Sequence, residues 1–218
     1  MTKKTQKKAI IVGATGMVGT ELLKQILEST EYDVVTIFVR KPIDLVHPKL
    51  EVFTVDFNTM DSWKHQIQGD VLFLCMGTTL AAAGSKSAQY KVDFSYQYQV
   101  AKTAHENGVQ HVVVISSAGA NSKSSNFYLN TKGSLDDTIL SLSFRTVSIL
   151  RPGQLFGNRS EKRPLEKIAL QLMFAINKIG LLRKYRPIHA IQVAKAMQQL
   201  AHTERKEIYS LDELFRQF

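Results

Sequence analysis

The stretch "KAIIVGATGMVGTELLKQILE", residues 8–28, decides the fold. It opens with a short apolar run, passes through glycines in G-x-x-G-x-x-G spacing, and continues with apolar residues at helical spacing. Glycine permits a tight turn and lets backbone N–H groups approach a pyrophosphate, whose charge the helix N-terminus stabilises. This order predicts a dinucleotide site. The expected contacts are Gly13, Thr15, Gly16, Met17, Val18 and Gly19.

Beyond this stretch, short β-branched apolar runs alternate with longer amphipathic segments. Near-continuous apolar runs of this length are typical of strands buried on both faces of a parallel sheet. The alternation predicts an α/β fold with a doubly wound parallel sheet of the Rossmann type. The predicted strands are 8–12, 33–39, 50–55, 70–75, 111–116 and 145–150, followed by a short terminal strand at "KEIYSL".

The chain is expected to form a single domain, since 218 residues with 44% apolar content suit one full core. A basic tail at 1–7 precedes the Rossmann domain at 8–218. That domain includes a small C-terminal substrate cap at about 153–218, whose main element is a helix predicted over 164–180. Another helix is predicted over 88–107.

Composition restricts the partners and the compartment. The formal net charge is +9, but the first eight residues hold four lysines and no recognition motif accompanies the charge, so no nucleic-acid partner is expected. No apolar run is long enough for a membrane span or a signal peptide, and the single Cys75 fits a reducing compartment. We expect a cytoplasmic protein with no membrane partner and no metal site; a homodimer stays open.

The end of the second predicted strand reports on the cofactor. An NAD site usually has an acid there for the ribose 2′-hydroxyl, whereas arginine accommodates a 2′-phosphate. This strand ends "FVRKP", with Arg40 and Lys41 and no acid before Asp44. The pattern favours NADPH over NADH, because a guanidinium suits a phosphate.

Other strand ends contribute to the same site, because ligands of open α/β sheets bind at the carboxyl ends of the strands. Asp56 and Phe57 follow the third strand, where an adenine could lie, although Asp56 is equally a candidate helix cap. Met76, Gly77 and Thr78 follow the fourth, where close backbone approach to a ribose or nicotinamide is expected.

Polar loops at 81–88 and 118–126 also follow strand ends, and we expect mobile segments over the site there.

Two Tyr-x-x-x-Lys pairs compete for a chemical role, and chance alone predicts roughly 0.6 such pairs in this chain. Tyr98 and Lys102 lie within a crossover helix, away from the carboxyl ends of the strands, and are interpreted as packing and surface residues. Tyr128 and Lys132 open the helix after the fifth strand, eleven residues beyond Ser117. Position therefore selects the second pair.

The chosen pair has suitable chemistry, because the i, i+4 spacing places Tyr128 and Lys132 on one helix face. A free phenol has a pKa of about 10, too high for efficient proton exchange near neutral pH, and a nearby ammonium favours the phenolate. Ser117 could hold a substrate carbonyl. Gly133 is costly in a helix unless something packs closely against it.

Several segments together resemble a known family: "GATGMVG", "FVRK", "MGTT", "ISSAGANSKSSNFYLNTKG" and "ILRPGQLFGNRSEKRP". From residue 9 to about 165 the chain resembles the atypical short-chain dehydrogenase/reductases, and within them the Tat-interacting-protein-like oxidoreductases. The resemblance implies a Rossmann fold that binds NADPH. It assigns Tyr128 as proton donor, Lys132 to the nicotinamide ribose and the tuning of Tyr128, and Ser117 to substrate orientation, with Ser116 as the rival serine.

The resemblance extends to two later segments. It implies that Pro152 and Gly153 of "RPG" face the nicotinamide. "PIHAIQVAKAM" is similar to the C-terminal helix entry of related NAD(P)-binding proteins, with Gln192 where an acid is common, a departure expected to affect packing only. His189 is interpreted as a helix-entry residue.

These observations favour an NADPH-dependent reductase that passes hydride to a small carbonyl substrate while Tyr128 protonates its oxygen. The alternative is an NADPH-binding regulatory or redox-sensing interaction protein with little turnover, since a fold does not establish a function. The presence of serine, tyrosine and lysine together favours the enzyme.

Overall fold

A parallel sheet forms the centre of the protein in a computed structural model, which describes residues 7–157 and 186–216. Its strands are β1 (Lys8–Val12), β2 (Val34–Val39), β3 (Leu50–Thr54), β4 (Val71–Leu74), β5 (His111–Ile115), β6 (Thr146–Arg151) and β9 (Lys206–Ser210). The seven strands have the order β3-β2-β1-β4-β5-β6-β9, and every neighbouring pair is parallel. The predicted doubly wound fold is confirmed, including the strand at "KEIYSL".

The strand order creates the crevice in which a ligand can bind. The chain runs outward from β1 to β3 on one side, then crosses to β4 and runs outward on the other. Ligands of open α/β sheets bind beyond the carboxyl ends of the strands at this reversal. The ends of β1, β2 and β4 therefore carry the first residues of the candidate site.

Helices cover both faces of the sheet. On one face lie α1 (Met17–Glu28) and α6 (Ala190–Leu200), which share a buried apolar layer. On the other lie α4 (Tyr96–Glu106) and α5 (Phe127–Ser141), with a second apolar layer. None of the helices described is long and apolar enough to cross a membrane.

The segment before β5 differs from the single helix predicted over 88–107. Helix α3 (Lys86–Tyr90) continues into a π-helical turn (Lys91–Ser95) and then into α4. A π turn inserts an extra residue into a helix, so side chains beyond it change direction, and such turns are frequent at functional sites. Here the turn contains Asp93, whose side chain is fully buried.

The predicted loop at 81–88 is largely helical. Helix α2 (Leu80–Ala83) ends at Gly84, which has the left-handed φ of 80° that glycine tolerates at a helix C-terminus. Ser85 then caps α3 by accepting a hydrogen bond from the N–H of Ala88. The small polar residues of this segment, which predicted a loop, instead cap short helices at their ends.

The C-terminal region contributes to the main domain. Two short strands, β7 (Leu155–Phe156) and β8 (Ile188–His189), pair outside the central sheet, whereas α6 and β9 belong to its layers. Part of the segment predicted as a substrate cap at about 153–218 is thus built into the Rossmann domain. The helix predicted over 164–180 and residues 1–6 of the basic tail lie outside the described residues.

Helix α6 begins with a reciprocal cap. His189 Nδ1 accepts a hydrogen bond from the N–H of Ile191 at 3.1 Å, and the side chain of Gln192 accepts one from the N–H of His189 at 3.3 Å. This capping box satisfies backbone donors at the helix start. The interpretation of His189 as a helix-entry residue is confirmed.

Candidate active site

The glycine turn leaves the start of α1 ready for an anion. Gly16 is the N-cap residue, makes no side-chain cap hydrogen bond, and is followed by no acid in the first turn. Met17 is half-buried and Val18 lies in the core, so Val18 offers only its backbone N–H to a ligand. Uncapped N–H groups and the helix dipole together suit a pyrophosphate.

Close packing explains two of the glycines. Gly13 has a φ of 89°, and a Cβ atom there would lie 2.6 Å from the carbonyl carbon of Cys75 at the end of β4. A Cβ atom at Gly19 would overlap the carbonyl of Gly13. The turn therefore brings α1, β1 and β4 together at the crevice in a way that side chains at these positions would prevent.

A cleft of ≈ 470 Å³ lies at the carboxyl ends of β1 and β2. It joins Thr15 of the glycine turn to Arg40, both predicted as cofactor contacts, and no described residue lining it is acidic. Its lining consists of Thr15, Val39, Arg40, Lys41, Pro42 and Ile43. The charge and the position of this cleft suit the phosphorylated ribose of a dinucleotide.

The residues after β3 have mainly structural contacts. Asp56 accepts a hydrogen bond from the N–H of Asn58 at 2.9 Å, which lowers the pKa of the Asp56 carboxyl and caps the next turn. The Phe57 side chain is buried with its ring 5.4 Å from that of Trp63 and 5.5 Å from that of Tyr96. The Phe57 side chain thus cannot be an adenine platform; any contact with adenine at this position uses its backbone.

A buried ion pair lies at the centre of the site. Lys132 of α5 is only 3% exposed, and its Nζ lies 2.8 Å from Oδ1 of the fully buried Asp93. Nζ also donates to the carbonyl of Met76 at 3.4 Å. Burial lowers the pKa of Lys132, but the charge of Asp93 and its hydrogen bond outweigh that effect, together with the charge that Tyr128 carries when ionised, so the pKa is raised. The ammonium is therefore held in its charged form.

Gly77 lies beside this pair at the carboxyl end of β4. Gly77 is exposed, and a Cβ atom there would lie 3.5 Å from Asp93 Oδ1 and 3.7 Å from Lys132 Nζ. The N–H of Thr78 approaches both carboxylate oxygens of Asp93 at 3.4 Å. An ammonium has three donors, and two have partners in the described part of the chain, which leaves one for a ligand hydroxyl.

Tyr128 is positioned by the first turn of α5. The side chain of Asn126 caps this helix by accepting from the N–H of Leu129 at 3.1 Å. Tyr128 is half-buried and lies on the wall of a cleft of ≈ 360 Å³. The other residues lining that cleft are Thr78, Thr79, Leu80, Lys86, Gln89, Asn126 and Phe127. The phenol is thus next to both the buried ammonium and a space large enough for a small ligand.

The two candidate serines differ in their contacts. Ser116 is buried and donates to Asp136 Oδ2 at 2.9 Å, and Arg151 Nε donates to the same oxygen at 2.8 Å. Burial raises the pKa of the Asp136 carboxyl, although the hydrogen bonds from Ser116 and Arg151 act in the opposite direction. Ser117 is half-buried, and its hydroxyl makes a long 3.4 Å contact with the carbonyl of Ala118. Ser117 does not line the ≈ 360 Å³ cleft, but its hydroxyl is outside the buried network that engages Ser116.

The loop at 118–126 packs directly on α5, which explains Gly133. A Cβ atom at Gly133 would overlap the backbone of Asn121 and Ser122. The loop is also tied to the end of β6, where the carbonyl of Pro152 accepts from the N–H of Ala118 at 2.9 Å. The close contact expected at Gly133 is present, and the segment expected to be mobile is anchored at both of these points. Pro152 is buried and Gly153 half-buried beside this anchor.

The second Tyr-x-x-x-Lys pair has the surroundings that its position predicted. Tyr98 packs beside Phe94, with 6.0 Å between the ring centres. Lys102 lies 3.9 Å from Glu106 on the surface of α4. Neither lines either of the clefts described above.

Asp93 was missed by reasoning from the sequence. An acid inside a helical stretch usually faces solvent, and the 3.6-residue periodicity of apolar positions does not predict a π turn. The available signal was its position between Val92 and Phe94, an acid flanked by apolar residues where a crossover helix meets the sheet.

The strand order, the glycine turn and the residues at the sheet edge define an NAD(P)-binding protein with a Rossmann fold. The family model described as NAD(P)H-binding matches residues 13–203, and the chain belongs to that family. The predicted NAD(P)-binding Rossmann domain is thereby confirmed, and this result is consistent with the resemblance to atypical short-chain dehydrogenase/reductases.

Curated relatives and solved structures agree. The chain is 37% identical over 160 residues to "Protein FMP52, mitochondrial" of Candida albicans, covering 71% of this chain and 70% of that protein. It is 38% identical over 153 residues to the protein of that name from Eremothecium gossypii, covering 69% and 67%.

Among solved structures, the ADP-L-glycero-D-manno-heptose-6-epimerase of Helicobacter pylori superposes with a TM-score of 0.71 at 18% identity, covering 94% of this chain and 76% of that one. MoeE5 in complex with UDP-glucose and NAD superposes with a TM-score of 0.71 at 15% identity, covering 95% and 79%. At these identities the likeness concerns the fold alone.

The expectation of a cytoplasmic protein is wrong, because curated relatives are named as mitochondrial proteins. That expectation rested on the lack of a long apolar run in the sequence, a pattern that does not distinguish one compartment from another. A single half-buried cysteine fits any reducing compartment, so it could not separate the cytoplasm from an organelle.

Proposed function

We propose that this protein is an NADPH-dependent reductase of a small carbonyl compound, with Tyr128 as the proton donor. The observation that carries the proposal is the buried Lys132–Asp93 pair next to Tyr128, at the sheet edge where the glycine turn also ends. A structural helix has little reason to bury an ammonium completely, since its desolvation is costly. Beside a phenol that lines a cleft, the same ammonium can stabilise the phenolate that proton donation leaves.

The cofactor proposed for the glycine turn is NADPH. The uncapped start of α1 would take the pyrophosphate, and Thr15 and Arg40 would take the phosphorylated ribose. When bound, the nicotinamide supplies the hydride. Asp56 and the backbone of Phe57 are proposed beside the adenine, and Met76, Gly77, Thr78, Pro152 and Gly153 near the nicotinamide.

The cofactor preference is testable by fluorescence titration of the purified protein. NADPH should bind at least about tenfold tighter than NADH, since a charge-assisted guanidinium contact to phosphate contributes about 1.5–3 kcal/mol. Arg40→Gln should remove most of the difference in affinity between NADPH and NADH while leaving NADH affinity unchanged. Equal or tighter binding of NADH to the wild-type protein would contradict the preference.

The protein's own residues can move the proton. The Tyr128 hydroxyl donates its proton to the carbonyl oxygen, and the Lys132 ammonium stabilises the phenolate that remains. Asp93 keeps the ammonium charged and in place. Ser117 would orient the carbonyl by a hydrogen bond, and water entering the cleft returns the proton to Tyr128.

The decisive test compares the two tyrosines. Tyr128→Phe should lower NADPH oxidation by at least about 100-fold across a panel of aldehydes, ketones and quinones, because general acid catalysis contributes that much. NADPH affinity should change less than about twofold. Tyr98→Phe is the matched control and should retain wild-type turnover. Unchanged turnover in Tyr128→Phe would refute the proton-donor role. NADPH binding without oxidation by any panel member would instead favour the regulatory alternative.

A further inference from the structure

The cleft next to Tyr128 has an uneven charge. Lys86 is the one cation among the described residues that line it, and none of them is an acid. Lys86 is exposed at the first position of α3 and forms no ion pair with any carboxylate in residues 7–157 and 186–216. Within the described residues, the cleft thus presents a positive charge without a carboxylate counterion.

The position of that ammonium is defined by an aromatic ring. Lys86 Nζ lies 5.6 Å from the centre of the Phe127 ring, within the range of a cation–π contact. Phe127 immediately precedes Tyr128 and lines the same cleft. The contact therefore places the charge of Lys86 on the wall that also carries the proposed proton donor.

The rest of the wall is apolar or neutral. Leu80 is 48% exposed and lies on the cleft wall. Leu80 and Phe127 offer an apolar surface, and neutral polar groups come from Thr78, Thr79 and Gln89. The volume of ≈ 360 Å³ lies at the lower end of the range for small-ligand sites, about 300–1,000 Å³.

We infer that the substrate is an anionic carbonyl compound: a carboxylate pairs with Lys86, a flat apolar skeleton lies on Leu80 and Phe127, and the carbonyl faces Tyr128. The reaction part of this inference rests on the proposed function, whereas the charge selection is a property of the cleft. A neutral carbonyl would leave the ammonium with only its ring contact, so the acid should bind better than a neutral compound of the same shape.

A matched pair of probes tests the charge selection: para-carboxybenzaldehyde and para-formylbenzamide, which share a ring and an aldehyde and differ in a carboxylate against an amide. Calorimetric titration uses the protein saturated with NADP⁺, so that no hydride is available and binding alone is measured. The acid should bind about fivefold tighter than the amide at low salt, the upper range for an exposed ion pair. The preference should shrink as salt is added.

Three variants attribute the preference to one residue. Lys86→Met keeps the aliphatic stem and should abolish the preference, whereas Lys86→Arg keeps the charge and should retain it. Lys102→Met removes a lysine on the same helical run outside the cleft and should leave the preference unchanged. Equal affinity for the two probes, absence of binding by both, or a preference that survives in Lys86→Met would overturn the inference.

Reduction is measured separately with NADPH. A binding preference without oxidation of NADPH by either aldehyde would contradict the proposed reductase and leave the anion site standing. Reduction of both aldehydes with equal kcat/KM would overturn the anionic substrate and leave the reductase standing. A higher kcat/KM for the acid that Lys86→Met removes would support both.

Discussion

The two Tyr-x-x-x-Lys pairs have the same spacing and opposite surroundings. Lys132 is 3% exposed with a carboxylate oxygen at 2.8 Å, whereas the Lys102 side chain is 54% exposed with one at 3.9 Å. Exposed pairs contribute about 0–1 kcal/mol, while breaking a buried pair costs about 3–5 kcal/mol. Spacing puts two residues on one helix face, and the place of that face in the fold decides whether they can share chemistry.

The largest effect should come from removing each lysine in turn. Lys132→Met leaves the Asp93 carboxylate buried without its partner and should lower the free energy of unfolding by about 3–5 kcal/mol. It should also abolish NADPH oxidation. Lys102→Met should change the free energy of unfolding by less than about 0.5 kcal/mol and leave turnover intact. Urea unfolding measures the free energies of unfolding of the two variants, and similar losses in both would contradict the comparison.

A smaller effect with a distinct pH dependence is expected of Asp93→Asn. The amide can still accept a hydrogen bond from Lys132, so the loss should be about 2–3 kcal/mol near neutral pH. Without the Asp93 charge, burial should bring the pKa of Lys132 below its ordinary 10.5. At pH values between this lowered pKa of the folded state and the ordinary pKa of the unfolded state, the unfolded state binds more protons than the folded state. The stability of the variant therefore rises with pH in that interval.

The free energy of unfolding of Asp93→Asn should therefore approach that of the wild type between about pH 7 and about pH 10. In the wild type the pKa of Lys132 is raised, so its contribution is fully present below 10.5 and is lost only as pH rises through the higher folded value. Glu106→Gln, which removes the partner of Lys102, is the control and should show almost no deficit at either pH. A deficit that stays constant or widens would argue against a charged Lys132.

The smallest effect concerns the contact between α5 and the loop at 118–126. Gly133→Ala should lower stability by about 1–2 kcal/mol, because the added methyl group would displace the backbone of Asn121 and Ser122. Elsewhere in a helix the same change stabilises by about 0.5–1 kcal/mol, so the sign alone is informative. Ser134→Ala, at the next position of α5, is the control and should be nearly neutral. Thermal unfolding measures both, and stabilisation by Gly133→Ala would show that the contact yields easily.

Much of the fold follows from local pattern. Six apolar runs and a terminal strand have the predicted locations, and the glycine turn has its expected place after β1. The run that forms β3 is not buried as expected, because β3 lies at the edge of the sheet. The strand-end rule located the cleft that joins Thr15 and Arg40. These features depend on hydrophobic periodicity and on backbone geometry, which a single sequence shows directly.

The missed features depend on contacts between distant segments. Asp93 is buried because a π turn carries it towards Lys132, some forty residues later, and no local pattern reveals such a partner. The Phe57 ring is buried by Trp63 and Tyr96, one of them on another element. Ser116 and Ser117 are adjacent, and only the position of Asp136 shows which hydroxyl is engaged. Tertiary packing, not propensity, decided each case.

The pairing of α1 with α6 has a consequence for synthesis on the ribosome. The inner face of α1, with Leu22 and Ile26, packs in one apolar layer with Val193 and Met197 of α6. A nascent chain forms the glycine turn before α6 exists, so the part of the α1 face that α6 covers stays in water until residues 190–200 have emerged. Contacts of such long sequence separation slow folding and expose apolar surface meanwhile. The nucleotide site is thus translated well before the helix that completes the packing of α1, and it becomes rigid late.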